Sequence, residues 1–394
     1  MTATEPTADE LIARAAALRP LLERNAPQGD ADRRIPDESI DALAEAGLLK
    51  LTVPRRFGGY EVDIRTKMEV AAAVAEADGA TGWIVALVNV CHWLAGLLRD
   101  QAQQDIFGAD PDARVCGVLA PSPETRRVDG GLVVSGRWPW ASGSLHATWC
   151  LVGALDRDAD GAITGPVLAF APMSEVSVED TWFVAGMKGT GSNTLVAEEV
   201  FVPDHRLLPM VPAIGNEYPT EHVDEVLYRS SFIPVLAIIL VGPLLGLARA
   251  ARDLVIAKAP SRAISLTSFE HQSDSVAFQV EVARAAMMVD TAYLHAMRSA
   301  DVIDDAARRG EKLDYVTRAR VRADTGYAGD MARLAIDRFV SAHGASSFAD
   351  ANPMQRIWRD ANTAGRHAVV NPNVNLEVYG KALLGVENDV TDLV

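Results

Sequence analysis

The feature that most constrains the fold of this chain is a hydrophobic period that changes twice. Residues 9–112 are rich in Ala, Leu and Glu, and their apolar residues recur at the spacing of amphipathic helices. Residues 113–212 instead carry short β-rich runs separated by Gly, Pro and Asp, which is typical of strands. After 225 the helical spacing returns, in long segments with wide apolar faces. This order predicts an α+β protein that is mostly α, and it does not fit a doubly wound sheet.

The two changes of period also suggest the domain boundaries. We expect a helical N-terminal domain over 1–112, a small β-barrel or sandwich over 113–212 and a helical bundle over 225–394. A Pro- and Glu-rich stretch at 213–226 is expected to be a flexible linker. The sequence Asp-Gly-Gly at 129–131 predicts a tight hairpin turn.

Charge and cysteine content narrow the class of protein. The formal net charge is −16, which is unfavourable for binding nucleic acid or an anionic membrane. The three cysteines match no zinc pattern, and we expect no metal. The N-terminus lacks the pattern of a secretory signal, and the most apolar stretch, 232–247, contains two prolines and predicts a buried helix. We therefore expect a cytoplasmic protein.

The segment GRWPWASGS at 136–144 is the first with possible chemistry. Trp138 and Trp140 precede Ser142, so an aromatic wall with a hydroxyl at its edge is expected. A planar cofactor needs apolar face contacts and such a polar group at its rim. Two core tryptophans beside a serine turn would produce the same sequence, and composition alone favours that structural interpretation.

Two further segments are informative only in combination with the other segments. In DTWFVAGMKGTGSN at 180–193, a Gly-, Thr- and Ser-rich turn presents N–H groups and hydroxyls that can hold a phosphate or the polar edge of a cofactor. A β-rich run follows it, so its glycines are not a dinucleotide-binding fingerprint. The segment 354–367 is expected to be a helix ending near His367, with Arg359 and Asp360 paired locally. An isolated histidine there is more often a capping or surface residue.

Together these segments resemble the acyl-CoA dehydrogenase superfamily and, within it, the two-component flavin-dependent monooxygenases of the aromatic-hydroxylase-like group D. The resemblance is carried by RIPDESIDALAEAGLLKLTVPRRFGG, by ATGW at 80–83, by GRWPWASGSLHATW at 136–149, by DTWFVAGMKGTGSNTLVAEEVFVP at 180–203 and by QRIWRDANTAGRHA at 355–368. It implies a helical N-terminal domain, a middle β-barrel and a C-terminal four-helix bundle, usually assembled as a homotetramer.

The resemblance implies an oxidoreductase that receives reduced flavin, FMN or FAD, from a separate NAD(P)H flavin reductase. Using O2 and a C4a-hydroperoxyflavin, it would hydroxylate an aromatic or polycyclic small molecule, such as a biosynthetic intermediate. One alternative is an acyl-CoA dehydrogenase-like FAD enzyme that oxidises a thioester or related substrate. A further alternative is a non-catalytic flavin- or ligand-binding homologue.

The choice between the monooxygenase and the dehydrogenase interpretations depends on whether the chain has a catalytic base. A dehydrogenase needs a carboxylate to take the substrate α-proton, and many members of the family place a glutamate shortly after a YRDA-like motif. Here the motif is WRDA at 358–361, and the matching position is Ala368, which cannot accept a proton. This difference favours oxygenation.

The resemblance also implies roles for single residues. Ser142 is expected at flavin N5, with Trp138 and Trp140 near the ring, and His367 is the first candidate for moving a proton. Related hydroxylases carry a second histidine where this chain has Cys91, with His92 next to it. Adjacent helical residues diverge by about 100°, so His92 is either a rotated catalytic residue or a packed interior one. The further expected contacts are Thr190, Gly191, Ser192, Arg262 and Gln272 for the flavin, and Cys91, His92, His146 and His367 for the substrate.

Overall fold

The structure, a computed structural model, describes residues 5–122, 124–158 and 160–394. Its helices are α1 (Ala8–Ala17), α2 (Arg19–Asp32), α3 (Asp37–Glu45), α4 (Ile64–Ala75), α5 (Gly79–Gly96), α6 (Asp100–Gln103), α7 (Met210–Ile214), α8 (Phe232–Ile238), α9 (Val241–Lys258), α10 (Val276–Arg309), α11 (Tyr315–His343), α12 (Pro353–Ala364) and α13 (Pro372–Leu384). Its strands are β1 (Val115–Ser122), β2 (Thr125–Val128), β3 (Gly131–Ala141), β4 (Trp149–Arg157), β5 (Ile163–Pro172), β6 (Ser177–Glu179), β7 (Asn193–Pro203) and β8 (Leu207–Pro209). The predicted fold class, mostly helical with a sheet unit in the middle, is confirmed.

The strands form two four-stranded sheets, ordered β1-β4-β5-β8 and β2-β3-β7-β6. Strands β1 and β4 run parallel, and the other paired strands run antiparallel. The apolar sides of the strands pack into one core that includes Leu132, Val152 and Leu195. Strands β2 and β3 are joined by the tight turn predicted at 129–131, in which Gly130 has a φ of 74°. The strands thus lie inside the expected middle segment, while the exact domain boundaries stay a prediction.

Helix α5 lies in the centre of the N-terminal helices. Its N-terminus is capped by Asp78, whose carboxylate accepts a hydrogen bond from the Thr81 N–H at 2.9 Å. A side chain at Gly82 would collide with Ala75, so this glycine allows α4 and α5 to pack closely. Every residue of α5 is buried except Leu87. The helix therefore has no polar face, which explains why its sequence is apolar all round.

Two helical stretches, Gly79–Gly96 and Phe232–Ser261, are long and apolar enough to cross a membrane. Burial inside the protein accounts for their composition, because 94 % and 89 % of their most apolar windows are covered by the rest of the fold. The predicted buried helix at 232–247 is confirmed, although it consists of α8 and the first part of α9. The cytoplasmic location stays a prediction.

The expected flexible linker at 213–226 is wrong, because the structure anchors this segment. The Tyr218 hydroxyl donates a hydrogen bond to the Ser230 carbonyl at 2.7 Å, and its ring packs against Trp93 and Phe232. The Thr220 N–H donates to the Leu97 carbonyl. The polar, acidic composition of the segment therefore hid an aromatic residue that anchors it to the core.

Candidate active site

The centre of the candidate site is a hydrogen bond between α5 and the turn after β3. The Trp83 indole Nε1 lies 3.3 Å from Ser142 Oγ and donates to it. Both residues are buried, so this hydroxyl is held away from bulk water. Ser142 thus lies where the helical N-terminal unit meets the sheets, and its expected place beside a cofactor stays a prediction.

Ser142 also belongs to a chain of three hydroxyl groups. Its Oγ lies 2.7 Å from Ser192 Oγ, and Ser192 Oγ lies 2.6 Å from Thr190 Oγ1. Thr190 Oγ1 lies 2.8 Å from the Met187 carbonyl, to which it can donate. The Gly143 N–H donates to the Thr190 carbonyl at 3.0 Å and ties the two turns together. The structure therefore brings together the Ser142, Thr190 and Ser192 that the sequence assigned to one cofactor.

The turn that carries Thr190 and Ser192 is held from the C-terminal bundle. Asp360 on α12 accepts a hydrogen bond from the Met187 N–H at 2.5 Å, and Met187 adopts a left-handed backbone with φ 58°. Arg359 does not pair with Asp360 as expected. It forms an ion pair with Asp30 on α2 at 2.9 Å, since the two side chains leave α12 in different directions. Residues of the WRDA motif thus hold a turn of the site in place, through contacts that the sequence did not predict.

Asp360 is a buried acid with unusual ionisation. Burial, with the nearby Asp78 carboxylate, raises the pKa of Asp360 from 3.8 to about 7. Arg356 and Arg359 oppose that rise but do not cancel it. The carboxyl group that holds the Met187 turn is therefore partly protonated near neutral pH.

His367 lies at the open side of the site, directly after α12. Its ring centroid is 5.9 Å from that of Trp83, and its Nδ1 accepts a hydrogen bond from the Val369 N–H at 3.3 Å. His367 is exposed to solvent on this side, and partial desolvation of its ring lowers the pKa of His367 below its usual 6.5. The ring is therefore neutral at pH 7, and because Nδ1 accepts, the proton is on Nε2. In this form His367 is a hydrogen-bond donor toward the site.

The expected wall of two tryptophans is wrong. Trp138 is only 2 % exposed and lies in the core between the sheets, where its Nε1 donates to the Gly153 carbonyl at 2.9 Å. Trp140 is 70 % exposed. Simple alternation would put both rings on one face, but the pairing of β3 with β7 shifts register after Trp138, and Trp140 has a φ of 69°. Only Trp140 has a ring face free for a cofactor.

Of the two roles predicted for His92, the structure agrees with a packed interior residue. It is completely buried, its Nε2 accepts a hydrogen bond from the Val115 N–H at 3.2 Å, and its ring packs edge-on against Phe107. Burial lowers the pKa of His92 to about 3, so it stays neutral. The partners of His92 are Val115 and Phe107, and neither Trp83 nor Ser142 is among the described contacts of its ring. The expected catalytic role of His92 has no support in this geometry.

Cys91 and His146 are also buried, in different surroundings. A Cβ on Gly117 would lie 3.2 Å from Cys91 Sγ, so this thiol packs against β1, and burial raises its pKa to about 12. It is therefore a neutral, weakly polar group. His146 Nδ1 lies 3.5 Å from both Arg34 and Asp37, which fixes the loop after β3 against the start of α3. Burial lowers the pKa of His146 to about 4.

Leu87 is a site residue that the sequence did not single out. It lies one helical turn after Trp83 and one turn before Cys91, and it is the one residue of α5 that is not buried. At this turn the helix is therefore only partly covered, and Leu87 also packs against the main core. No signal in the sequence could mark Leu87, because all its neighbours on α5 are apolar too.

Arg262 and Gln272 lie together in the loop after α9. The Gln272 N–H donates to the Arg262 carbonyl at 2.6 Å, and the Arg262 guanidinium contacts His343 and Ser346 on the other side. Among the described residues, no carboxylate pairs with Arg262. A guanidinium with neutral neighbours can bind an anionic group such as a phosphate. The structure brings these two predicted contacts together, and they share no hydrogen-bond partner with the Ser142 group.

The chemistry available at the site follows from these groups. Among the described residues, Ser142 Oγ contacts Trp83 and Ser192, Trp140 has an exposed ring, and Nε2 of His367 makes no hydrogen bond. In the described part of the chain, none of the hydrogen bonds of Trp83, Ser142 or His367 involves a carboxylate. The site can therefore hold a planar ring with a polar edge and donate a hydrogen bond, while the buried carboxyl group of Asp360 is engaged by the Met187 N–H. These features fit a flavin ring.

Comparison with known proteins agrees with this geometry. Residues 9–105 match the acyl-CoA dehydrogenase N-terminal domain, and residues 238–372 match the acyl-CoA dehydrogenase C-terminal domain. The flavin-dependent monooxygenase oxygenase subunit HsaA of Rhodococcus jostii (strain RHA1) is 33 % identical over 94 % of this chain and 97 % of its own length. The oxygenase component of an FADH(2)-dependent resorcinol hydroxylase from Rhizobium sp. (strain MTP-10005) is 30 % identical, covering 96 % of this chain and 94 % of its own.

Two solved structures are similar throughout. XiaF from Streptomyces sp., in complex with FADH2 and glycerol, superposes with a TM-score of 0.92 at 35 % identity and covers 98 % of this chain and 97 % of its own. The 3-HSA hydroxylase from Rhodococcus sp. RHA1 gives a TM-score of 0.91 at 31 % identity, with 98 % of this chain and 100 % of its own covered. The similarity therefore extends over the helical units and the sheets alike.

Proposed function

From its membership of the acyl-CoA dehydrogenase family, we propose that the chain uses reduced flavin and O2 to hydroxylate an aromatic or polycyclic small molecule. Within that family it belongs to the oxygenase components of flavin-dependent monooxygenases. The observation that carries the proposal is the hydroxyl-lined site of Ser142, with neutral His367 beside it and Ala368 where a dehydrogenase would hold its base. A flavin enzyme without a carboxylate at this place lacks the group that takes the substrate α-proton.

When bound, the reduced flavin supplies the electrons and the ring on which O2 is activated. The protein supplies the surroundings. Ser142 would hold the polar edge at N5, the turn with Thr190, Gly191 and Ser192 would support it, and the exposed ring of Trp140 would cover one face. Because Trp83 and Ser142 are buried, this edge of the flavin would be kept from water, which limits wasteful release of hydrogen peroxide.

His367 would act as the hydrogen-bond donor of the site. Its Nδ1 is occupied by the Val369 N–H, so a neutral ring presents only Nε2–H to the reacting groups. Taking a proton from a phenol would require the Val369 hydrogen bond to break or the ring to change tautomer. Of the two roles expected from the sequence, the geometry therefore favours donation toward the oxygen that reacts over abstraction of a substrate proton.

The substrate would lie beside α5 at Leu87, which is only partly covered by the protein. Leu87 and the ring of Trp83, one helical turn apart, would offer it a mainly apolar surface. Such a surface suits an aromatic ring better than a charged thioester carrier. A site for a phenolic or polycyclic substrate is thus consistent with the aromatic substrate in the name of the resorcinol hydroxylase relative.

Two partners follow from the class of enzyme. An oxygenase component receives its reduced flavin from a separate reductase, and we propose an NAD(P)H-dependent one. We also propose that the protein is a homotetramer, because α10 exposes a stripe of large apolar residues. The stripe consists of Val276, Val280, Met287 and Leu294. Association of copies through this face would remove the stripe from water.

FAD is the preferred form of the flavin in this proposal. Arg262 and Gln272 form a second polar group, apart from Ser142, that can take the phosphate and adenine end of a longer cofactor. The FADH2 in the XiaF complex points the same way. FMN lacks the adenine end, so it would leave part of this group without a ligand.

A stopped-flow experiment tests the function. Protein loaded anaerobically with reduced FAD is mixed with O2, with and without resorcinol or a fused-ring phenol, and product and peroxide are measured. We expect slow peroxide release without substrate and a hydroxylated product with an accepted one. Immediate peroxide release with every aromatic compound would refute the proposal, as would bleaching of oxidised FAD by an acyl thioester without O2.

A further inference from the structure

The direction of the hydrogen bonds around Ser142 can be worked out from the two ends of the hydroxyl chain. Trp83 Nε1–H can only donate, and the Met187 carbonyl can only accept. Between these ends, Ser142, Ser192 and Thr190 carry one proton each. If Ser142 donates to Ser192, Ser192 to Thr190 and Thr190 to Met187, all three protons have acceptors inside the protein, over distances of 2.7, 2.6 and 2.8 Å.

The opposite direction satisfies fewer groups. Thr190 would then donate to Ser192, and Ser192 to Ser142, so that the Ser142 proton would have no acceptor among these partners. The forward direction therefore gains one hydrogen bond within the protein. The accepting carbonyl is fixed in place, because Asp360 holds the Met187 N–H. The same carbonyl also accepts from the Trp182 indole at 2.9 Å and from the Thr190 N–H at 3.2 Å, and the Thr190 hydroxyl, at 2.8 Å, lies nearer to it than either.

In the forward direction Ser142 has no proton left to offer a ligand. One of its lone pairs accepts from Trp83, and the other faces the site. We infer that Ser192 and Thr190 are positioning residues that hold Ser142 as a hydrogen-bond acceptor, so that the site prefers reduced flavin, whose N5 carries a proton, to oxidised flavin, whose N5 only accepts. This inference rests on the proposed function, because it places Ser142 at N5.

The preference has a use for an oxygenase that shares flavin with a reductase. Both redox forms have nearly the same shape, so size cannot separate them. A fixed acceptor at N5 distinguishes them by their hydrogen bonding. It accepts from the N5–H of reduced flavin, whereas the N5 of oxidised flavin is itself an acceptor, so the hydrogen bond is lost and the two atoms repel each other. Spent flavin would then leave and be replaced by reduced flavin without any movement of the fold.

The test compares Kd values for reduced FAD, measured anaerobically, with those for oxidised FAD. Thr190→Val keeps the shape and removes the hydroxyl, which frees Ser192 to donate to Ser142 and turn its proton toward the flavin. We expect the preference for reduced FAD to fall roughly five- to thirtyfold, the effect of one hydrogen bond or slightly more. Thr190→Ser restores the hydroxyl and should restore the preference. Ser192→Ala should lower it, and Ser192→Thr should restore it.

A double-mutant cycle distinguishes orientation from general damage. If Thr190 acts through Ser142, Thr190→Val has no further effect on the Kd ratio in a Ser142→Ala background. A ratio in Thr190→Val within about twofold of the wild type, or an equal loss in both backgrounds, would overturn the inference. If circular dichroism shows that Thr190→Val is unfolded, the ratio of the Kd values for the two Ser192 variants tests the inference in the same way. Failure of the wild type to bind either form of FAD would instead refute the proposed function.

Discussion

Replacing the buried Asp360 by asparagine should remove a pH dependence from the stability of the protein. In the wild type, burial and Asp78 raise the pKa of Asp360 to about 7, against 3.8 for an unperturbed aspartate. Between these values the native state keeps a proton that the unfolded chain has lost. The native state thus binds more protons, and the free energy of unfolding falls as the pH rises from about 4 to about 7.

The size of the effect follows from the shift. Each pKa unit corresponds to about 1.4 kcal/mol, so a shift of about three units gives an upper limit of about 4 kcal/mol. Asp360→Asn cannot ionise, yet its side-chain oxygen can still accept the Met187 N–H. We therefore expect the difference in unfolding free energy, wild type minus Asp360→Asn, to become more negative as the pH rises from 4 to 8.

The assay is urea unfolding followed by tryptophan fluorescence at several pH values. Asp360→Ala is the matched control, because it also cannot ionise but leaves the Met187 N–H without its acceptor; we expect it to be about 1–3 kcal/mol less stable than Asp360→Asn at every pH. Asp78→Asn is a second control, since removing that charge should lower the pKa of Asp360 and shift the wild-type slope to lower pH. Parallel pH profiles for the wild type and Asp360→Asn would refute the reasoning.

Three further predictions concern the site and the surface. His367→Ala should lose product at least about tenfold while binding reduced FAD as well as the wild type, and His367→Gln, which keeps an N–H donor, should recover part of it; equal product yields from all three in a coupled assay would contradict the donor role. Leu87→Trp should fill the space beside α5 and raise the KM for a fused-ring phenol more than for resorcinol, which steady-state kinetics measures; equal changes in KM would mean that Leu87 does not line the substrate site. Met287→Glu should put a charge into the apolar stripe of α10 and yield smaller assemblies in sedimentation; an unchanged assembly would rule out this face as the interface.

The parts of the site that the sequence predicted are those that depend on ordered motifs. Ser142, Thr190 and Ser192 were assigned to one cofactor from two segments, and the structure places their hydroxyl groups in one chain. The helical and β-rich stretches were predicted equally well, because the hydrophobic period depends directly on the secondary structure. These predictions needed no knowledge of which residues meet in space.

The parts that failed depend on local backbone geometry or on long-range contacts. A register shift and a positive φ send Trp140 outward while Trp138 stays in the core, and neither feature is visible in alternation. His92 faces β1 because of the rotation of α5, which its uniformly apolar sequence does not specify. Arg359 and Asp360 find partners far away in the chain, so their adjacency suggested a pairing that does not exist.

The hydrogen bond between Asp360 and Met187 has a consequence for the order of synthesis. The two residues are separated by 173 positions, so the turn that bears Thr190 and Ser192 leaves the ribosome long before the residue that holds it. The sheets can fold while the chain is still growing, but the flavin edge of the site is complete only when α12 has been made and docked. A chain that ends before α12 therefore lacks the contact that holds this turn, and the proposed flavin edge forms only in a protein that has been made as far as α12.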